Sequence, residues 1–321
     1  MTAPTPPAVI PSETCMRLID RRIAFDAIKA ALIAAADGSG AVNPVVIGHG
    51  LNDGETFSMK SGLLRGLPAV GLKVGGYWPG NEANGLPRHQ SAILLLDPAN
   101  GRLIAVVEGG ALNGLRTAAA DAVAADALAR ADAATLSIFG AGKQAMHEVR
   151  AICEIRPIRR IFVTSRNATS ADRMSRTLRE TLPPEIQVVS TDAEHAARGA
   201  DILVTATPSR APLFDAGWIR PGTHVASMGS DQAGKQELPP ALFPRARLFC
   251  DLPEQALAIG EMQHAKPLVT NGQPLVAIGD VLRGAAAGRT SGDEITVFDS
   301  SGIALQDLAI AAAVLARHAA G

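Results

Sequence analysis

The sequence predicts an α/β protein in two domains: a parallel sheet wound with helices in the second part of the chain, and a separate α/β domain before it. Two observations carry this. From residue 135 onward strand-like runs alternate with helical ones: LSIFG then 143–155, RIFVTS then 168–182, QVVS then 192–199, and DILVTAT. Such alternation means βαβ units and a parallel sheet. Between 43 and 108 the runs VVIGHG, AVGLKVGGYW, SAILLLD and RLIAVVEG are separated by Gly/Pro turns instead of helices, the pattern of an antiparallel sheet. At 321 residues the chain is long for one domain and comfortable for two.

Taken in order, residues 1–10 are Pro-rich and expected to be loose. From Ser12 to Ala36 the apolar residues Met16, Leu18, Ile19, Phe25, Ile28, Leu32 and Ile33 fall near helical spacing. The antiparallel region follows, and then TAAADAVAADALARADA (117–133), Ala-rich and strongly helix-forming. After the βαβ region come two more strand-like runs, THVASMG and RLFCDL. The last segment, SGIALQDLAIAAAVLARHAA, is an amphipathic helix placed after the α/β block, and is expected to return to the first domain. The predicted boundaries are 1–115 with 304–321 for one domain and 116–303 for the other.

Composition narrows the function. The formal net charge is −1 with no basic block, so neither nucleic acid nor an anionic membrane is an expected partner. Aromatics at 3% leave no base-stacking platform. Cys15, Cys153 and Cys250 are odd in number and far apart, which gives neither a disulfide framework nor a CxxC metal site. No pair of histidines has metal spacing, so no metal is expected. The N-terminus lacks the basic and apolar regions of a signal peptide, and no run approaches the ~20 apolar residues of a membrane span. A cytoplasmic protein is the expectation.

One turn points to a ligand. Gly140-Ala141-Gly142-Lys143-Gln144-Ala145 fits GxGxxG/A, with a strand before it, a helix after it and another strand at 160–165. Gly140 allows the tight turn, Gly142 lets the backbone approach a pyrophosphate, and Ala145 permits close helix–strand packing. The anion sits at the helix N-terminus, where free N–H groups and the dipole favour negative charge. This is the Rossmann fingerprint for NAD(P). An acid ending the second strand would bind a ribose 2′-hydroxyl, whereas an arginine suits a 2′-phosphate. The chain has Ser165-Arg166-Asn167 there and no acid until Asp172, which leans toward NADPH, unless Arg166 is only a solvated loop cation.

Several stretches, in order and covering most of the chain, resemble the ornithine cyclodeaminase/mu-crystallin family: GLKVGGYWPGNEANGLPRHQSAILLLDPANGRLIAVVEG (71–109), LNGLRTAAADAVAADALA (112–129), GAGKQA (140–145), GADILVTATPSRAPLF (199–214), GTHVASMGSDQAGKQEL (222–238) and GRTSGDEITVFDSSGIALQDLA (288–309). The resemblance implies a Rossmann domain for NAD(P), a substrate-binding and dimerisation domain, and a homodimer that acts on a small imino or amino acid.

It also assigns residues. Lys73, in an apolar strand, must snorkel, pair or work. A lysine in an apolar pocket has a lowered pKa and exchanges protons near neutrality, and by resemblance this one is the active-site lysine. Arg116 lies near a helix start, where the dipole does not favour a cation, so it should face an anion. The family places it on the substrate carboxylate; the alternative is a salt bridge with Asp121 or Glu108. Thr117 suits a cofactor phosphate. Asp231, after the strand THVASMGS, matches the acid/base carboxylate, although spacing alone would make it a turn aspartate. Thr207, Pro208, Ser230, Ser300 and Gly302 are expected along the cofactor, and His89 in the substrate pocket. One departure stands out. Many relatives carry a second arginine on the strand before GLKV; here Asn43-Pro44-Val45-Val46 has none, and Lys60 is the candidate replacement.

The expected reaction is NAD(P)H-dependent reduction of a small imino acid: pyrroline-2-carboxylate, iminosuccinate or the imine of pyruvate. A cyclodeaminase reaction and a non-catalytic, crystallin-like NADP-binding protein are the alternatives.

Overall fold

The computed structural model describes residues 6–67 and 69–320. The chain divides into two compact units. One runs up to Arg116 and resumes at Ile303, and the other is Thr117–Gly302.

The first unit opens with β1 (Ala8–Ile10), α1 (Ser12–Leu18) and α2 (Arg21–Asp37). Two expectations need correction here. Residues 8–10 are not loose, because β1 pairs in parallel with the strand at 103–108; residues 1–5 lie outside the described residues. The 12–36 helix is two helices. Asp20 breaks it: its backbone is extended, and its side chain accepts from the Ile23 N–H at 2.8 Å, capping α2.

Next come β2 (Gly40–Val42), β3 (Val46–His49), β4 (Thr56–Leu64), β5 (Ala69–Tyr77), β6 (His89–Leu96) and β7 (Leu103–Glu108). They form one sheet in the order β1-β7-β6-β5-β4-β2, with β3 also on β4. The pairs from β2 to β7 are antiparallel. The final helix, Ala304–Ala320, belongs to this unit and lies on the sheet. Its sequence is apolar nearly all round and it is buried over most of its length, as such a helix must be. The sheet admits it closely: a Cβ at Gly62 would meet Leu305 at 3.1 Å, and one at Gly71 would meet Leu308 at 3.2 Å.

The unit boundary falls inside α3 (Gly110–Leu128). Arg116 therefore sits in the second turn of a helix, not ahead of one as the sequence reading had it. The second unit then runs β8 (Thr135–Phe139), α4 (Lys143–Ile155), β9 (Arg160–Thr164), α5 (Ala168–Thr181), β10 (Gln187–Ser190), α6 (Ala193–Gly199), β11 (Ile202–Thr205) and β12 (His224–Ser227). It continues with β13 (Ala246–Cys250), α7 (Pro253–Ile259), α8 (Lys266–Thr270), β14 (Leu275–Ala277), α9 (Ile278–Leu282) and β15 (Ile295–Asp299), and the final helix is α10.

All pairs of this second sheet are parallel, in the order β10-β9-β8-β11-β12-β15-β13-β14. From β8 the chain adds strands outward through β9 to β10. It then returns across β8 to add β11 and β12 on the other side. The switch point between β8 and β11 is where ligands of such sheets bind. The run ITVFD, absent from the strand-like runs read in the sequence, forms β15 and inserts between β12 and β13.

Candidate active site

Lys73 is on the buried face of β5, whose alternate residues point to α10. Its Nζ donates to Asn113 Oδ1 at 2.8 Å and to Asp307 Oδ1 at 3.0 Å. Arg116 reaches the same two residues. One terminal nitrogen donates to Asn113 Oδ1 at 2.8 Å and the other to Gln306 Oε1 at 3.1 Å. Its Nε lies 3.2 Å from Asp307 Oδ1, in charge contact but not aligned for a hydrogen bond. Lys73 and Arg116 are only 7% and 8% exposed, so this is a buried charge cluster. Neither Asp121 nor Glu108 is the partner of Arg116.

Lys60 joins the cluster through sheet register. It stands directly opposite Lys73 in the β4–β5 pair. Opposed like charges repel, and burial adds to that. Lys73 is pulled down to about 8 by burial first and by Arg116 and Lys60 next, against the pull of Asp307. Burial opposes the charge of Asp307, but Lys73, Arg116 and Lys60 outweigh it and hold the carboxyl below its ordinary range. His89 is near as well: a Cβ on Gly75 would lie 3.5 Å from His89 Nε2 and 3.8 Å from Lys73 Cε.

The sequence reading missed Asn113, Gln306 and Asp307. The available signal was Gln306-Asp307 inside an otherwise apolar helix, where two polar residues need partners.

The second unit holds the glycine turn. Gly140 has φ +120°, and a Cβ there would sit 2.6 Å from the Ala206 carbonyl at the end of β11. Gly142 caps α4 without a side-chain hydrogen bond, and a Cβ on it would meet nothing within 4 Å. Ala145 is fully buried against the sheet. The turn thus leaves open space in front of the N-terminus of α4, which fits a pyrophosphate. Lys143 is exposed at this start, beside Ala141. The Gln144 amide is used elsewhere, donating to Glu148 at 2.6 Å. At the end of β9, the Ser165 hydroxyl accepts from the Asn167 N–H at 3.4 Å and the Asn167 side chain caps α5, which leaves Arg166 exposed. Thr117 is buried in α3.

The remaining expected residues cluster at carboxyl ends of strands. Thr207 and Pro208 follow β11, Ser230 and Asp231 follow β12, and Ser300 and Gly302 follow β15. Asp231 is half exposed and pairs with Lys235 at 2.5 Å. The Ser300 hydroxyl and Gly302 N–H both donate to Asp251, at 3.1 and 2.8 Å.

A sequence model of the ornithine cyclodeaminase/mu-crystallin family matches residues 11–321. The chain belongs to that family. The iminosuccinate reductase of Paracoccus denitrificans is 38% identical over 97% of both chains. The crystal structure of that family member, in complex with NAD+, superposes with a TM-score of 0.92 at 34% identity, covering 98% of this chain and 97% of that one. The Thermococcus litoralis Delta(1)-pyrroline-2-carboxylate reductase, in complex with NADH and L-proline, superposes at 0.90 with 28% identity over 98% of each chain.

Proposed function

We propose that the chain is an oxidoreductase that reduces a small imino acid to the amino acid with a nicotinamide cofactor, and that the imino acid carries two carboxylates. The observation behind the second part is charge. Three cations, Lys60, Lys73 and Arg116, all bear on the Asp307 carboxylate, and two of them, Lys73 and Arg116, are buried. Cations gathered in this way suit anionic ligand groups. Iminosuccinate supplies two, and the named activities of the family relatives are of this reaction class.

In this reading Arg116 grips the carboxylate next to the imine carbon with its planar fork, and Lys60 takes the second as a point charge. His89 lines the pocket. Lys73, at about 8, is mostly protonated at neutral pH and near enough to its pKa to give a proton to the imine nitrogen. Asp231, steadied by Lys235, is the second candidate for that proton. The cofactor, when bound, supplies the hydride to the imine carbon. Gly140, Gly142 and the first residues of α4 hold its pyrophosphate, and Thr207, Pro208, Ser230, Ser300 and Gly302 line it.

Arg166, with no acid beside it, favours NADPH over NADH. A cyclodeaminase would need an acid for a distal ammonium; here Asp307 is already held by two cations. Exposed Val9, Val46, Ile47 and Leu51 on the first unit fit a second copy of the chain, giving a cytoplasmic homodimer.

The test is oxidation of NADPH and NADH with oxaloacetate plus ammonium, pyruvate plus ammonium, and pyrroline-2-carboxylate. Faster turnover with oxaloacetate plus ammonium is expected. Preference for a monocarboxylic imine would refute the dicarboxylate, and tighter NADH binding would refute the NADPH assignment.

A further inference from the structure

We propose that Glu237 is a positioning residue for the cofactor, clamping together the segments that follow β11 and β12; the proposal rests on the dinucleotide-binding reading above. Glu237 is fully buried. One carboxylate oxygen accepts from the Thr207 N–H at 2.7 Å and the Thr207 hydroxyl at 2.8 Å. The other accepts from the Thr205 hydroxyl at 2.8 Å, the Ser227 hydroxyl at 2.9 Å and the Gly229 N–H at 2.9 Å. Thr205 ends β11 and Thr207 follows it, whereas Ser227 ends β12 and Gly229 follows it. The two segments touch, since a Cβ on Gly229 would sit 2.2 Å from the Thr207 carbonyl.

The clamp is itself clamped. The N–H groups of Glu237 and Leu238 donate to the Glu261 carboxylate, the shortest contacts being 2.9 and 2.8 Å.

A buried carboxylate is an expensive way to brace two strands. Burial pushes Glu237 up, and the hydrogen bonds from Thr205, Thr207 and Gly229 pull it down. What the charge gains is geometry. Thr207 spends both its donors inward, which fixes its main chain and turns its methyl toward Gly140 of the dinucleotide turn, 3.3 Å from a Cβ placed there. The segment beyond Gly229 carries Ser230 and Asp231. One side chain therefore sets the relation between two of the segments assigned to the cofactor.

An amide cannot replace it. Each oxygen receives a main-chain N–H that cannot reverse, so either orientation of glutamine aims an NH₂ at a donor. Glu237→Gln in the full-length protein should raise the Kd for NADPH and NADH and lower kcat/KM by about 100-fold, the cost of a misplacement near 1 Å. The primary isotope effect with 4-deuterated cofactor should grow as hydride transfer limits the rate. A merely structural loss would reduce the folded fraction and the rate in proportion, leaving KM and the isotope effect unchanged, and that result overturns the proposal. Thr205→Val and Ser227→Ala each remove one hydroxyl and keep both main-chain donors. They should raise the cofactor KM several-fold, and wild-type values in both would overturn the proposal even if Glu237→Gln fails to fold. Wild type that binds neither cofactor would refute the underlying reading, and this proposal with it.

Discussion

Asp307→Asn removes the charge that Lys73 and Arg116 share while keeping the shape of the side chain. At the 3.0 Å separation of Lys73 Nζ and Asp307 Oδ1, a unit charge pair in an effective dielectric of 20 is worth about 5 kcal/mol. That is a ceiling of roughly four pKa units for Lys73. The amide oxygen still accepts from Nζ, so a fall of about 1–3 units is the working value, typical of a close opposite charge. Burial, Arg116 and Lys60 all act downward, and Asp307 alone among the named charges acts upward. If the reduction needs the protonated amine, wild-type kcat/KM falls above the Lys73 pKa of about 8. In the variant that alkaline limb should move toward acid by about 1–3 units. With a shift of about two, the protonated fraction at pH 7 drops from about nine-tenths to one-tenth, a loss of about tenfold that is recovered at lower pH. The assay is NADPH oxidation with oxaloacetate and ammonium across pH 5.5 to 10, corrected for the ammonium equilibrium. An alkaline limb that stays in place would remove Lys73 from the proton transfer or Asp307 from its control.

Four further outcomes are expected. Lys73→Ala should lower kcat by about 10²–10⁴-fold with little change in cofactor affinity, read by steady-state kinetics and cofactor titration. Lys60→Met should chiefly raise KM, costing about 2–4 kcal/mol in kcat/KM for iminosuccinate and less for pyruvate imine; equal losses would separate Lys60 from the second carboxylate. Gly142→Val should abolish NAD(P)H binding with an unchanged circular dichroism spectrum, because its side chain enters the space in front of α4. Asp121, fully buried and raised to about 7 by burial against a downward pull from Glu148, binds its proton more tightly folded than unfolded. Its contribution is complete below the unfolded carboxylate pKa and is lost as pH rises through about 7. Asp121→Asn should therefore raise Tm at pH 8 and not at pH 4, measured by thermal denaturation.

The sequence carried the parts of the site that depend on local rules. GAGKQA between a strand and a helix needed only spacing, and its main-chain geometry is what the two glycines allow. Lys73 was visible as a cation in an apolar strand. What could not be read was anything set by register or by a distant partner. Lys60 lies in FSMKSGLL, a run with no clean alternation, and only the antiparallel β4–β5 pairing places it opposite Lys73. Asp307 is 234 residues from Lys73, so no local pattern joins them. β15 was missed for a related reason. Its neighbours β12 and β13 precede it by long stretches, and the stretch from β12 to α8 breaks the alternation of strand and helix with short 3₁₀ turns at 240–245 and 261–264.

Buried carboxylates are held differently in the Lys73 cluster and at the strand ends of the second unit. In the first, Lys73 and Arg116 share Asp307, which also feels the charge of Lys60. In the function proposed above, anionic groups of the substrate add to this cluster. In the second, Glu237, Glu261 and Asp251 are surrounded by N–H and hydroxyl donors from their own chain. They are satisfied without a ligand, so their role is to fix backbone, and the segments they fix end at Thr207, Gly229 and Gly302. Preorganised main chain suits a cofactor that must present one ring face to its partner. A cluster of cations suits a small anionic substrate that must enter, react and leave.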